Sequence, residues 1–223
     1  MTRAIVVISG GMDSVTLAHV LRDQALDLHF VSFDYGQRHV KELDMVQYWA
    51  SEWDVPWDVV DLSSVTKLLA GSGSVLVDHE IDVPDGHYAE ATMKATVVPN
   101  RNAIMLSIAT GIAVAQGASF VAAGMHAGDH FIYPDCRPQF IRSFNQSMQL
   151  ANDGFWGGGK IVAPFIEYTK ADIVETGVQR GVDYEMTWSC YKGGEKHCGT
   201  CGTCVERKEA FQLAQEVDPT DYE

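Results

Sequence analysis

An α/β fold with a doubly wound, mostly parallel sheet is predicted for this chain by three observations. Apolar runs of strand length alternate with segments of helical spacing. The first apolar run ends in a Gly-rich turn that opens a helix. Polar clusters recur just beyond several of the later runs, where open α/β sheets hold ligands.

The elements follow in order. Residues 4–8, Ala-Ile-Val-Val-Ile, read as a buried strand, and Ser9-Gly10-Gly11-Met12-Asp13-Ser14 as the turn after it. Residues 14–23 carry helical spacing, with Asp13 or Ser14 placed to cap that helix. A strand at 28–34, a helix over about 39–53 and a strand at 58–61 complete a βαβαβ unit, which implies parallel strands and right-handed crossovers. Residues 62–98 are less regular and include Gly71-Ser72-Gly73-Ser74. So long an excursion in a compact domain reads as a lid or a subunit contact. Residues 101–116 are apolar nearly all round, which predicts a buried helix capped by Asn100 and stopped by Gly117. A strand at 119–124, a helix at 138–151, a Gly157-Gly158-Gly159 loop and an extended segment at 160–165 come next. Thr169, with Asp172 three residues on, opens a helix ending at Gly181. A cysteine-rich knuckle, a helix near 203–216 and a polar tail finish the chain. The expected division is an α/β domain over 1–186 and a knuckle with its helix over 187–223, packed on the same domain.

Composition narrows the function classes. The chain has 223 residues, 46% of them hydrophobic, enough for one domain with a real core. No apolar run approaches the roughly 20 residues that span a bilayer. The N-terminal residues lack a signal-peptide cleavage pattern, so a cytoplasmic location is expected. Sixteen Lys+Arg against thirty Asp+Glu give a formal charge of −14. Such a field repels nucleic acid and favours a small substrate.

The turn at 9–14 carries the first chemical signal. Adjacent glycines let backbone N–H groups approach an anion, and the helix start adds the positive end of its dipole. No Lys follows the glycines, so the P-loop pattern does not fit, nor does G-x-G-x-x-G.

Four of the five cysteines, Cys190, Cys198, Cys201 and Cys204, fall within fifteen residues in a C-x7-C-x2-C-x2-C pattern. Gly199 and Gly202 permit tight turns between them. Four thiolates suit one structural zinc ion, closed and tetrahedral. An iron–sulfur cluster is the rival, but Cys204 is followed by Val205-Glu206-Arg207 rather than by the spacing usual in ferredoxins. Lys192, Lys196, Arg207 and Lys208 sit close in sequence, which fits compensation of the thiolate charge.

Other candidates lie past the strands. In Phe33-Asp34-Tyr35-Gly36-Gln37-Arg38-His39, Arg38 and His39 are placed to meet a phosphate or carboxylate, or else to form a solvated helix start. Arg101 stands in the first turn of a helix, where the macrodipole opposes it, so an anion is expected nearby; a salt bridge is the alternative. Asp129 and Asp135 are candidate Mg²⁺ or substrate contacts. Cys136 reads as a nucleophile or, more commonly, as buried packing. Trp188 and Tyr191 can stack on a flat heterocycle or fill the core.

The Ser-Gly-Gly-x-Asp-Ser string resembles the pyrophosphate loop of the ATP pyrophosphatase superfamily, whose fold is adenine nucleotide α-hydrolase-like. The loop, the Asp-Tyr-Gly-Gln-Arg-His string, residues 98–102, Tyr133-Pro134-Asp135-Cys136-Arg137 and the cysteine knuckle together resemble the 7-cyano-7-deazaguanine synthases of queuosine biosynthesis. Asn100 departs from the glycine expected in many relatives. The resemblance implies an ATP-dependent C–N ligase that takes 7-carboxy-7-deazaguanine, ammonia and ATP to the 7-cyano base through an activated acid and an amide. It also implies a homodimer, Mg²⁺ with the ATP, and one structural Zn²⁺ on the four cysteines. Contacts to ATP are implied for Ile8, Ser9, Gly10, Gly11, Met12, Asp13, Ser14, Val15, Thr16, Leu17 and Ala18. Catalytic roles fall to Asp13, Ser14, Arg38, Arg101 and Asp135, and substrate contacts to Tyr35, Gln37, Arg38, Asn102, Tyr133 and Arg137. No glutaminase signature is present, so free ammonium is the expected nitrogen donor. A tRNA sulfurtransferase conflicts with the charge of −14, and a non-catalytic zinc module leaves the phosphate loop unexplained.

Overall fold

The structure is a computed structural model and describes residues 2–69, 73–87, 90–127 and 133–223. Asp129 and much of the Gly71–Ser74 string lie outside the described residues. Among the described residues, five strands form one sheet: β1 (Arg3–Val7), β2 (Asp27–Asp34), β3 (Trp57–Asp61), β4 (Phe120–Ala123) and β5 (Lys160–Val162). Their order is β3-β2-β1-β4-β5, and every pairing is parallel. The chain winds outward one way from β1 and then the other way from β4. The reversal between β1 and β4 is the switch point at which such sheets bind ligands.

Strand periodicity divides the core in two. Ile5, Val31, Phe33, Val121 and Ala123 face one layer; Ala4, Val6, Phe30 and Ala122 face the other. The helices are α1 (Met12–Asp23), α2 (Glu42–Trp53), α3 (Ser63–Leu69), α4 (Glu90–Lys94), α5 (Arg101–Gln116), α6 (Pro138–Ala151), α7 (Lys170–Val178) and α8 (Gly202–Leu213). α1, α2, α7 and α8 cover the second layer, with Val15, Trp49, Ile173 and Phe211 buried in it. α5 and α6 cover the first, through Leu106, Ala113 and Ile141. Cys190, Cys201 and Cys204 belong to that same first cluster.

Two local expectations are corrected. α1 begins at Met12 with Gly11 as its N-cap and no side-chain cap bond. Ser14 Oγ instead donates to Gly11 O at 3.0 Å and accepts from Ser9 N at 3.2 Å, so its hydroxyl shapes the loop. α5 is not buried all round: Ser107, Gly111 and Ala115 are exposed on one face. Small side chains there contribute little apolar area, so leaving them in water costs little. Within the described parts of 62–98, Val75, Leu76 and Val83 are buried and Asp85 is bridged to Cys201, whereas Leu68 and Ile81 are exposed. Thr169 caps α7 in a full capping box with Asp172.

Gly10 fixes the first loop against α2. Its φ is +86°, and a Cβ built there would lie 2.0 Å from Glu42 O. Gly10→Ala is therefore expected to cost roughly 3 kcal/mol or more, from left-handed strain plus overpacking. A urea titration checks this, and a loss below about 1 kcal/mol would contradict it.

Candidate active site

A cavity of about 300 Å³ opens at the carboxyl ends of β1, β2 and β4. Ile8, Ser9, Gly11, Met12, Asp13 and Ser14 line one part of it. Gly124, at the end of β4, lets the strand approach α1 closely: a Cβ there would lie 3.0 Å from Asp13 O. With no side-chain cap on α1, the first N–H groups of that helix remain for an anion. Gly10 packs on α2 and is not among the lining residues. Val15, Leu17 and Ala18 are core, and Thr16 Oγ1 pairs with Tyr184 OH at 3.0 Å.

Beside the loop stands a charged group that the sequence reading did not single out. Lys170 Nζ donates to Asp13 Oδ2 at 2.7 Å and lies 3.6 Å from Glu206 Oε2. His126 Nε2 is 3.3 Å from the same Nζ. Burial works against the Lys170 charge, but Asp13 and Glu206 outweigh it and raise its pKa. Asp13 Oδ1 is buried without a partner among the described residues.

The opposite part is aromatic and polar: Phe33, Tyr35, His39, Glu42, Arg101, Tyr133, Cys136, Trp188 and Tyr191. Arg101 NH1 donates to Tyr35 OH at 3.3 Å. Asp135 Oδ2 accepts from Asn102 N at 3.2 Å, so the anion at the start of α5 is this carboxylate. Asn100 occupies the cap position at φ +56° without a side-chain bond. Asn102 Nδ2 donates to Cys136 Sγ at 3.3 Å. Burial, then Asp135, push the Cys136 thiol up to about 11, which suits packing rather than nucleophilic attack.

Three expected substrate contacts are not among the residues lining the cavity. Arg38 NH2 donates to the carbonyls of Asp78 and Ile81, outside the cavity lining. Gln37 is buried and uses its amide on Tyr35 N, Phe33 O and Glu42 Oε1. Arg137 is exposed at the start of α6.

Burial pushes Glu42 up to about 8, against the lowering effects of Gln37 and Arg101. Burial, then Arg101, push His39 down to about 3. The raised acid removes stability as pH climbs from its ordinary value to about 8, because the unfolded chain ionises first. The depressed His39 adds stability as pH climbs from about 3 to its ordinary value, so the two oppose each other below about pH 6.5. Between about pH 6.5 and 8 only the Glu42 contribution remains of these two. Stability is expected to fall across that window, and Glu42→Gln to flatten the fall. An unchanged slope in the variant would contradict the assignment.

The cysteine cluster closes one side of the cavity through Trp188, Ser189 and Tyr191. All four ligand atoms lie within 4.8 Å of one another. The Cys198–Cys204 and Cys190–Cys201 sulfur separations are 3.9 and 4.0 Å, close to the edge of about 3.8 Å in a tetrahedral thiolate site. Cys190, Cys201 and Cys204 are fully buried and Cys198 is half-buried. These four residues fit a metal ion. Thr200 N and Cys201 N point at Cys198 Sγ at 3.4 and 3.3 Å, which suits a thiolate. The nearby cations are engaged differently from expectation: Lys192, Lys196 and Arg207 pair with Asp85, Asp221 and Asp218. Among the described residues, backbone N–H groups and the hydroxyls of Thr200 and Thr203, not these cations, make the direct contacts to sulfur.

A Gly-rich loop at the switch point of a parallel sheet, facing a polar cavity, defines an α/β protein with an anion-binding loop at its ligand site. Residues 3–215 match the family described as queuosine biosynthesis protein QueC, and the chain belongs to that family. A 7-cyano-7-deazaguanine synthase of Rhizobium rhizogenes is 57% identical over 221 residues, covering 99% of this chain and 92% of its own. The protein of that name from Brucella ovis is 54% identical, covering 99% and 94%. Among solved structures, the U34-tRNA thiolase NcsA of Methanococcus maripaludis, with its [4Fe-4S] cluster, has a TM-score of 0.53 at 13% identity. That match covers 100% of this chain and 74% of the thiolase. NMN synthetase of Francisella tularensis also scores 0.53, at 12% identity, covering 97% and 78%. These two likenesses bear on the fold.

Proposed function

We propose that this protein is a 7-cyano-7-deazaguanine synthase, an ATP-dependent C–N ligase acting on 7-carboxy-7-deazaguanine and ammonia. One observation carries the reading: the phosphate loop lines a single cavity with Tyr35, His39, Arg101, Asn102, Tyr133 and Cys136 from the family's aromatic and polar strings. The reaction must remove both oxygens of a carboxylate. In the first half, a carboxylate oxygen attacks a phosphorus of ATP and expels pyrophosphate (from the α-phosphorus) or ADP (from the γ-phosphorus); ammonia then attacks the acyl carbon, loses a proton and expels AMP or phosphate, leaving an amide. In the second half, the amide oxygen is activated in the same way. It leaves as the nitrogen gives up its two protons, and the nitrile forms. Adenylation and phosphorylation both satisfy this balance.

The residues divide the work by position. Loop amides and the start of α1 meet the phosphates, and Lys170 places a cation next to them. The unpartnered Asp13 Oδ1 fits a magnesium ion carried with ATP. When bound, that ion neutralises charge on the phosphates. Trp188, Tyr191 and Tyr35 supply aromatic surface for the base. Arg101 is a second cation at the far side, suited to the carboxylate. The four cysteines suit structural Zn²⁺. A homodimer in the cytoplasm, with no membrane or nucleic-acid partner, completes the proposal; among the described residues no helix is long and apolar enough to cross a membrane.

Metal-loaded, folded protein incubated with 7-carboxy-7-deazaguanine, ATP, Mg²⁺ and ammonium should yield the nitrile by mass spectrometry. Absence of nitrile would overturn the reading. A colourless protein with about one zinc per chain is expected; brown protein with labile sulfide would replace zinc with a cluster.

A further inference from the structure

We infer that Glu42 selects the guanine-type edge of the substrate, accepting one hydrogen bond from the ring N1–H and one from the exocyclic 2-amino group. The inference rests on the proposed substrate class and assigns a specificity-determining residue to it. Glu42 lines the cavity yet is only 8% exposed. Gln37 Nε2 donates to its Oε1 at 3.2 Å, and no described group donates to Oε2. Gln37 is itself fixed by Phe33 O and Tyr35 N, so the carboxyl group is held in one orientation. His39 Nε2 lies 3.7 Å from Oε1, and Phe33, Tyr35 and Tyr191 line the same cavity.

A carboxyl group this buried loses hydration, and that loss needs donors to offset it. Before a base binds, burial keeps Glu42 protonated below about pH 8, and the two adjacent N–H donors of the proposed base favour its ionised form, whose two oxygens match them. Support of the helix start is the simpler role for an acidic residue in the first turn of α2. That role does not require the side chain to be buried at a cavity wall. Glu42 lines the same cavity as Ser9, Gly11, Asp13 and Ser14, so a base held by Glu42 shares that cavity with the phosphate loop.

The test compares wild type with Glu42→Gln on two substrates: 7-carboxy-7-deazaguanine and its analogue lacking the 2-amino group. Wild type should lose about 10- to 100-fold in kcat/KM on the analogue. In the variant, kcat/KM for the full base should fall by a similar factor, mainly through KM. Its preference over the analogue should shrink below about threefold, with KM for ATP unchanged. Calorimetry with 7-cyano-7-deazaguanine and its 2-desamino analogue supplies the same comparison without turnover. Preserved discrimination in a folded variant overturns the inference, as does a change confined to KM for ATP. If wild type makes no nitrile but binds the cyano base with this discrimination, the reaction is wrong and the recognition stands. If wild type binds neither base, both fall.

Discussion

Asp13→Ala is expected to lower ATP turnover by about a thousandfold or more while the protein stays folded. The side chain has two tasks. Its Oδ2 holds Lys170 at 2.7 Å, and its Oδ1 is buried with no described partner. Removing one preorganised electrostatic group from a site of this kind costs about 10²- to 10³-fold. Here a cation loses its anchor and a carboxylate is lost at the phosphates together. The fold should survive because the loop is shaped by Gly10 and by the Ser9–Ser14 bonds, and Glu206 remains near Lys170. Asp13→Asn keeps the shape and removes the charge, so it should be nearly as inactive. Release of phosphate or pyrophosphate, read beside a thermal melt, checks both variants. Unimpaired turnover in Asp13→Ala would take the loop out of the mechanism.

Cys201→Ser should lose the metal and most of the stability together. Cys201 is fully buried, is the N-cap of α8 and lies 4.0 Å from Cys190 Sγ. Binding of structural zinc contributes on the order of 10 kcal/mol in small sites, comparable with the whole net stability of a domain. The damage should spread through α8. Arg207 in that helix is fully buried and donates to Tyr184 O, Thr187 Oγ1 and Asp218 Oδ1. A drop in Tm of more than about 10 °C is expected, with metal content near zero. A metal-free variant melting with wild type would refute the structural role.

Sheet and helices were legible because apolar runs and helical spacing report burial directly, and the pattern of β1 and β2 leaves little choice of layer. The phosphate loop and the four cysteines were legible because their spacing is itself the chemistry. Lys170, Glu206, His126 and Glu42 were missed because each converges on the cavity from a separate element. One signal was present: Lys170 follows the Thr169 cap, and a cation in a first helical turn opposes the dipole just as Arg101 does. Arg38 and Gln37 show the converse: Arg38, read from the sequence as an anion contact, and Gln37, implied by the resemblance, both bond to neighbouring protein groups. The exposed face of α5 was hidden by small residues that composition counts as apolar.

Cys201, Cys204, Glu206 and Arg207 fall within two turns at the start of α8. Metal ligation, the environment of Lys170 and anchorage of the 184–189 segment are thus carried by one rigid rod. Partial demetallation should therefore act on head count rather than on quality. The fraction of competent molecules declines in step with metal content, while the KM of those that remain stays constant. A cell short of the ion would hold fewer working copies of an unaltered catalyst.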